Sequence, residues 1–164
     1  MKTLSIFHVL LFFTAPIIAQ EKMDRTLRFF NNGTIPYIQV QEAVGKDNMV
    51  FLDSRKKEEF EVSHIKNALW VGYGQFDPKQ VRDSISDLDT PIVVYCSIGV
   101  RSEDIGERLK KMGYTNIRNL YGGIFKWKDS GHPVFDTEGN ETEKVHAYNR
   151  LWGGLLEKGE KVYR

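Results

Sequence analysis

Short apolar runs that recur along the chain are the feature that most restricts its fold. Five runs, each four or five residues long, are rich in branched and aromatic side chains, as buried strands are. They lie at 37–40, 49–52, 68–71, 91–95 and 116–120. The later runs are separated by segments long enough to hold a helix, so the chain has the order of strand and helix that βαβ units require.

The segments between these runs have the periodicity of helices. Two of them place apolar side chains at i, i+4 and i+7: Ile105, Leu109 and Met112 in one, and Val81, Ile85 and Leu88 in the other. Gly113 follows the first as a stop signal. The sequence therefore predicts an α/β fold with a mostly parallel five-stranded sheet and helices on both faces.

Length, charge and cysteine content exclude several classes of protein. A chain of 164 residues is expected to form one domain, and its net charge is +1. That balance excludes a strongly basic nucleic-acid-binding protein and an acidic disordered chain. Cys96 is the one cysteine, which excludes a disulfide framework, a cysteine-rich zinc site and a C-x-x-C redox pair. Cys96 therefore acts alone or not at all.

The first 19 residues have the pattern of a secretory signal. Lys2 precedes an apolar run at 6–19, which is shorter than the roughly 18 residues that a membrane-spanning helix needs. Cleavage after Ala19 would leave a mature chain of residues 20–164. We expect that chain to be exported, periplasmic or secreted, without membrane attachment. A buried N-terminal helix is the alternative interpretation.

Two flanking segments differ from the alternating centre, which we expect to be one domain over 36–132. Residues 20–35 are polar and are expected to lead into it through a short helix. Residues 133–164 form a C-terminal extension. Four of its apolar residues have helical spacing: Val145, Tyr148, Trp152 and Leu155. This spacing predicts a terminal helix packed on the domain, or alternatively a face that binds a partner.

The loop after the strand at 91–95 has the residues of a nucleophilic site. Cys96 lies at the carboxyl end of that strand, where parallel sheets bind ligands. The next residues run to the start of a helix: Ser97, Ile98, Gly99, Val100, Arg101 and Ser102. Such a loop can aim backbone N–H groups at an anion. The helix N-terminus and Arg101 favour a thiolate, so we predict a lowered pKa for Cys96. A cysteine that merely packs is the alternative.

Three motifs, in this order along the chain, resemble those of the rhodanese-like sulfurtransferases. The family's first signature is similar to three short segments before Ala68: Asp53–Arg55, Glu59–Phe60 and His64–Ile65. Cys96–Ser102 is similar to its active-site loop, in which a cysteine opens and an arginine closes six residues. Leu120–Ile124 is similar to the segment after the active-site helix. Its paired glycines, Gly122 and Gly123, predict a tight turn into a helix around Trp127, with phosphate binding as the alternative. The nearest type is the single-domain rhodanese exported to the bacterial periplasm.

This resemblance implies a three-layer rhodanese-like fold and a two-step sulfur transfer. Cys96 would attack the outer sulfur of thiosulfate or a persulfide, and the loop N–H groups from Ser97 to Arg101 would hold the terminal sulfur of the Cys96 persulfide. A cyanide or thiol acceptor, including a thiol on a protein, would then take the sulfur. Asp53, Arg55 and His64 would support the loop structurally. The resemblance implies no metal, no organic cofactor and no nucleic-acid partner.

The chain departs from the family pattern at two places. Ser97 and Ile98 follow the cysteine where many relatives have basic or further polar groups, which weakens the expected capture of thiosulfate. Ser63 and Asn67 stand where the first signature usually has glycines, which alters the turn geometry.

The same residues are compatible with three other kinds of function. Cysteine phosphatases and arsenate reductases have a similar loop with five residues between cysteine and arginine. Four lie between Cys96 and Arg101, which suits a single sulfur atom better than a tetrahedral oxyanion. A non-enzymatic sulfur carrier or partner-binding module has the same loop chemistry. A redox sensor would need an external thiol to resolve oxidised Cys96.

Overall fold

The structure, a computed structural model, describes residues 20–163, so the predicted signal at 1–19 lies outside the described residues. Helix α1 covers residues 20–30. The other helices follow in chain order: α2 (Val40–Ala43), α3 (Lys57–Val62), α4 (Pro78–Ser84), α5 (Arg101–Lys111), α6 (Gly123–Asp129) and α7 (Arg150–Gly153). Within the described part of the chain, no helix has the length and apolar character needed to cross a membrane.

Five strands form the central sheet: β1 (Tyr37–Ile38), β2 (Val50–Asp53), β3 (Leu69–Trp70), β4 (Ile92–Tyr95) and β5 (Ile117–Leu120). Their order is β1-β5-β4-β2-β3, and every neighbouring pair is parallel. All five coincide with the apolar runs of the sequence, so the predicted parallel sheet is confirmed. Asp53 pairs with Tyr95, which makes β2 and β4 end side by side.

The sheet separates two apolar layers, as the predicted three-layer fold requires. Alternate residues of β4 point to opposite faces, so Val93 and Tyr95 join one buried cluster while Ile92 and Val94 join the other. Helices α4 and α5 cover the second cluster, and α1, α2 and α6 cover the first. With both faces covered, β4 is buried at every position, which explains its continuous apolar run.

Asn67 shows how the chain accommodates its departure from the family pattern. Its φ is +60°, in the left-handed region that favours glycine. Asparagine is among the residues that tolerate this region best, so the turn before β3 forms without a glycine.

The terminal helix predicted from Val145 to Leu155 is wrong. The extension instead forms an antiparallel pair, β6 (Val134–Phe135) with β7 (Glu141–Thr142), and a parallel pair, β8 (Lys144–His146) with β9 (Glu160–Val162). Only the four residues of α7 are helical between β8 and β9. Tyr148 at φ +62° interrupts any helix there, and the Asn149 side chain caps α7 by accepting from the N–H of Trp152. Val145 and Leu155 are nevertheless buried on the domain.

Candidate active site

The loop between β4 and α5 curls around the sulfur of Cys96. The N–H of Gly99 donates to Cys96 Sγ at 3.1 Å, and the hydroxyl of Ser102 lies 3.6 Å from the same atom. Gly99 has φ +109°, a conformation that L side chains rarely adopt and that this close approach requires. Cys96 is 1% exposed, so its sulfur lies at the bottom of the loop.

Two asparagines fix the far side of the loop. The amide groups of Asn31 and Asn119 both donate to the carbonyl of Gly99, each at 2.8 Å. Asn119 also accepts from the Ser102 hydroxyl at 2.8 Å. These bonds hold the Gly99 peptide with its N–H toward the sulfur. The sequence pattern predicted a site role for neither residue, although the polar Asn119 within the apolar run of β5 was a signal for it.

Arg101 is held beside Cys96 by a buried carboxylate. Its Nη1 and Nη2 atoms donate to the two carboxylate oxygens of Glu59 at 2.6 and 2.8 Å, a bidentate ion pair. Nη2 also donates to the hydroxyl of Ser97 at 3.0 Å. Burial raises the pKa of Glu59, but its bonds to Arg101 outweigh this effect, so the net pKa is lowered and Glu59 stays ionised.

The same surroundings favour the thiolate form of Cys96. Burial raises the pKa of the thiol, whereas the charge of Arg101 and the N–H groups of Ser102 and Gly99 lower it. The lowering effects prevail, so the pKa lies below the ordinary thiol value. The sulfur is therefore a nucleophile in an environment that also stabilises negative charge on it.

The backbone at the start of helix α6 holds the loop between β4 and α5 by hydrogen bonds. The N–H groups of Ile124 and Phe125 donate to the carbonyls of Cys96 and Ser97 at 3.0 and 3.1 Å. Gly123 makes this approach possible: its φ is +54°, and a β-carbon there would lie 2.3 Å from the carbonyl oxygen of Cys96. The turn predicted at Gly122 and Gly123 is present, and it also positions the nucleophile.

The three predicted support residues lie in a neighbouring buried network. The Arg55 guanidinium donates to Asp53 and to the carbonyl of Ser63, at 2.6 Å in each case. Its Cζ lies 5.8 Å from the ring of Tyr95, the residue before Cys96. The His64 ring instead stacks on the ring of Phe60, and the backbone of His64 pairs with that of Phe135 in the extension. Asp53 and Arg55 thus adjoin the strand end, whereas the His64 ring has no hydrogen bond to the loop.

The structure brings together Cys96, Arg101 and the loop residues between them, and adds Glu59 as the partner of Arg101. Ile98 is buried in the first apolar cluster, while Val100 packs at its margin. Among residues 20–163, no group of three histidine, cysteine, aspartate or glutamate side chains could hold a metal ion. The polar groups directed at the Cys96 sulfur are the N–H groups of Gly99 and Ser102 and the Ser102 hydroxyl, and Arg101 supplies the positive charge beside them.

Comparison with known proteins assigns this arrangement to a family. Residues 38–130 match the model of the rhodanese-like domain. The chain belongs to the rhodanese-like family. Thiosulfate sulfurtransferase GlpE of Coxiella burnetii is 30% identical to it over 106 residues, which make up 65% of this chain and 95% of GlpE. Membership of the rhodanese-like family is what the motifs of the sequence predicted.

Solved rhodanese structures have the same fold. The rhodanese-related protein from Thermoplasma volcanium superposes with a TM-score of 0.51 and 26% identity, covering 60% of this chain and 96% of its own. Thiosulfate sulfurtransferase from Pseudomonas aeruginosa superposes with a TM-score of 0.57 and 18% identity, covering 74% of this chain and 23% of its own. At that identity the second likeness shows the rhodanese fold alone. All of α1 and the whole extension, including β6, lie outside the family match.

Proposed function

We propose that the protein is a sulfurtransferase that carries a sulfane sulfur on Cys96 from a small donor to a thiophilic acceptor. The observation that carries the proposal is the set of groups around the Cys96 sulfur. This sulfur accepts the N–H of Gly99 at 3.1 Å and lies beside Arg101, so negative charge on sulfur is stabilised at the bottom of the loop.

In the first step, the Cys96 thiolate attacks the outer sulfur of the donor. With thiosulfate, a bond forms between Sγ and that sulfur, the sulfur–sulfur bond of thiosulfate breaks, and sulfite leaves with the electron pair. The terminal sulfur of the persulfide lies within the same loop, whose Gly99 and Ser102 N–H groups already donate to the sulfur of Cys96. Arg101 attracts the anionic donor and stabilises the charge that develops on sulfur.

In the second step, a nucleophilic acceptor attacks the terminal sulfur of the persulfide. Cyanide gives thiocyanate, and a thiolate gives an organic persulfide. In both cases the Cys96 thiolate is regenerated with the electron pair of the broken bond. No general base is needed, because the surroundings already favour the thiolate.

Two observations bear on the donor. GlpE, whose name describes it as a thiosulfate sulfurtransferase, supports thiosulfate. Against tight capture of a dianion, Glu59 already takes two hydrogen bonds from Arg101, and Ser97 and Ile98 supply no charge. We therefore propose thiosulfate or an organic persulfide as the donor, and a small or protein-borne thiol as the acceptor.

We also propose that residues 1–19 direct export to the periplasm or the exterior and are then removed. The support is the sequence pattern of this segment, in which Lys2 precedes a short apolar run that ends at Ala19. Gln20, the first residue of the proposed mature chain, donates to the Tyr121 hydroxyl at 2.7 Å.

The Cys96→Ser variant tests the proposed activity. Serine is a much weaker nucleophile and cannot form a persulfide, so transfer of sulfur from thiosulfate to cyanide is expected to fall to background. The measurement is thiocyanate formation, with the thermal unfolding midpoint as the control for folding. Turnover in a folded Cys96→Ser protein equal to that of the wild type would end the proposal.

A further inference from the structure

Tyr148, an aromatic residue outside the family match, lies on the arginine of the candidate site. The Cζ atom of Arg101 is 5.0 Å from the centre of the Tyr148 ring, within the range of a cation–π contact. The tyrosine is 41% exposed, so the extension brings an aromatic side chain from the surface to the loop that holds Cys96. Glu59 and Ser97 take the hydrogen bonds of the same guanidinium.

The backbone at Tyr148 adopts a conformation that is unfavourable for this residue. Its φ is +62°, and Asn67 is the one other non-glycine residue with positive φ in the described chain. A bulky aromatic residue is strained there, unlike asparagine. The turn is held by hydrogen bonds: Tyr148 N–H donates to His146 Nδ1 at 3.1 Å, and Asn149 N–H donates to the Ala147 carbonyl at 2.8 Å. Such strain persists where surrounding structure maintains it, often at functional sites.

We propose that Tyr148 is a positioning residue for sulfur transfer, acting through Arg101. Its ring lies on the guanidinium and keeps water from it, which strengthens the attraction that Arg101 exerts on an anionic donor approaching Cys96. This role rests on the proposed function. A positioning role for Tyr148 also accounts for the strained turn that follows β8 and places this residue beside the loop.

Alkylation of Cys96 measures this attraction without requiring sulfur transfer. Iodoacetate and iodoacetamide are similar in size, but only iodoacetate is negatively charged. Both react with the same thiolate, so the ratio of their rates cancels changes in thiolate fraction and in access to Cys96. The ratio therefore reports the positive charge presented to an incoming anion.

The Tyr148→Leu variant keeps a β-carbon and apolar volume but removes the ring. We expect its iodoacetate-to-iodoacetamide rate ratio to fall about two- to fivefold, the size of an exposed cation–π contact. The conservative Tyr148→Phe variant keeps the ring and is expected to restore the ratio. The catalytic efficiency with thiosulfate, kcat/KM, is expected to fall by the same factor in Tyr148→Leu.

Tyr163→Leu is the matched control, because Tyr163 is a tyrosine of the same extension with 43% exposure. It packs near Gly153 of α7, and its replacement is expected to leave the rate ratio unchanged. An unchanged ratio in Tyr148→Leu, or an equal fall in Tyr148→Phe or Tyr163→Leu, would overturn the role of the ring. A lowered ratio without any persulfide formation would sink the proposed function and leave the contact with Arg101 standing.

Discussion

The positive charge of Arg101 acts on Cys96 because two side chains, those of Glu59 and Ser97, hold the guanidinium beside the loop. Glu59 holds the guanidinium through both Nη atoms, and Ser97 takes a further bond from Nη2. The spacing of Cys96 and Arg101 in the sequence was enough to predict this pair. The pairing of Glu59 with Arg101 was not predictable in the same way, because the two residues meet only when α3 and the loop come together in the folded chain.

Replacement of Arg101 by alanine is expected to lower the rate of sulfur transfer more than tenfold. The variant loses the positive charge that attracts the donor and stabilises the transition state. It also leaves the buried Glu59 carboxylate without its partner, which is expected to cost about 3–5 kcal/mol of stability. Steady-state kinetics at a temperature where the variant is folded, together with denaturant unfolding, measure the two effects.

The double variant Arg101→Ala with Glu59→Gln separates catalysis from stability. A neutral glutamine no longer needs a positive partner, so much of the lost stability is expected to return while the rate stays low. Recovery of the wild-type rate in the double variant would show that Arg101 serves only to neutralise Glu59.

Among the secondary-structure elements, the contact between α6 and the β4–α5 loop is the one on which the nucleophile depends. The sequence predicted a turn at Gly122 and Gly123, because paired glycines before an apolar helix favour one. It did not predict that the backbone of Ile124 and Phe125 would hold the carbonyls of Cys96 and Ser97. Backbone contacts between distant segments leave no side-chain pattern, which is why this link was found only in the structure.

The Gly123→Ala substitution is expected to destabilise the protein more than Gly131→Ala. Both positions have positive φ, for which alanine costs about 1–2 kcal/mol. At Gly131 a β-carbon meets nothing within 4 Å, whereas at Gly123 it would meet the backbone of Cys96 and Ser97. The clash is expected to add about 1–3 kcal/mol in denaturant unfolding. Equal losses in the two variants would refute the close approach.

The local pattern of side chains predicted the strands of the central sheet correctly, but its prediction of a terminal helix was wrong. The five strands of the sheet were recognised because their short runs are rich in branched and aromatic residues, and β4, which is covered on both faces, is apolar throughout. The spacing of Val145, Tyr148 and Trp152 fitted a helix, but these residues lie in a strand, a turn and a short helix, and Val145 alone of the three is buried. The parallel strands β8 and β9 are three residues each, and exposed positions in both leave no continuous apolar run.

At the scale of the whole molecule, the flanking segments complete the core of the family domain. Met23 and Leu27 of α1 join the cluster that contains Val93 and Tyr95 of β4. Apolar residues of the extension join the same cluster: Val145, Ala147, Leu155 and Leu156. The flanks are therefore part of the packed body and bring Asn31 and Tyr148 to the candidate site.

Leu156→Ala and Leu151→Ala test this integration. Leu156 is 1% exposed and Leu151 is 78% exposed, although both belong to the extension. We expect Leu156→Ala to cost about 2–5 kcal/mol of unfolding free energy in one cooperative transition. Leu151→Ala is expected to change it by less than about 0.5 kcal/mol. A similar small effect of both would mean that the extension contributes little to the core.

Intact-mass spectrometry of the purified protein tests the central claim most directly. We predict that incubation with thiosulfate or an organic persulfide adds the mass of one sulfur atom, that cyanide removes it, and that Cys96→Ser never gains it. Absence of any mass gain in the wild-type protein with either donor would contradict a sulfur-transfer cycle on Cys96.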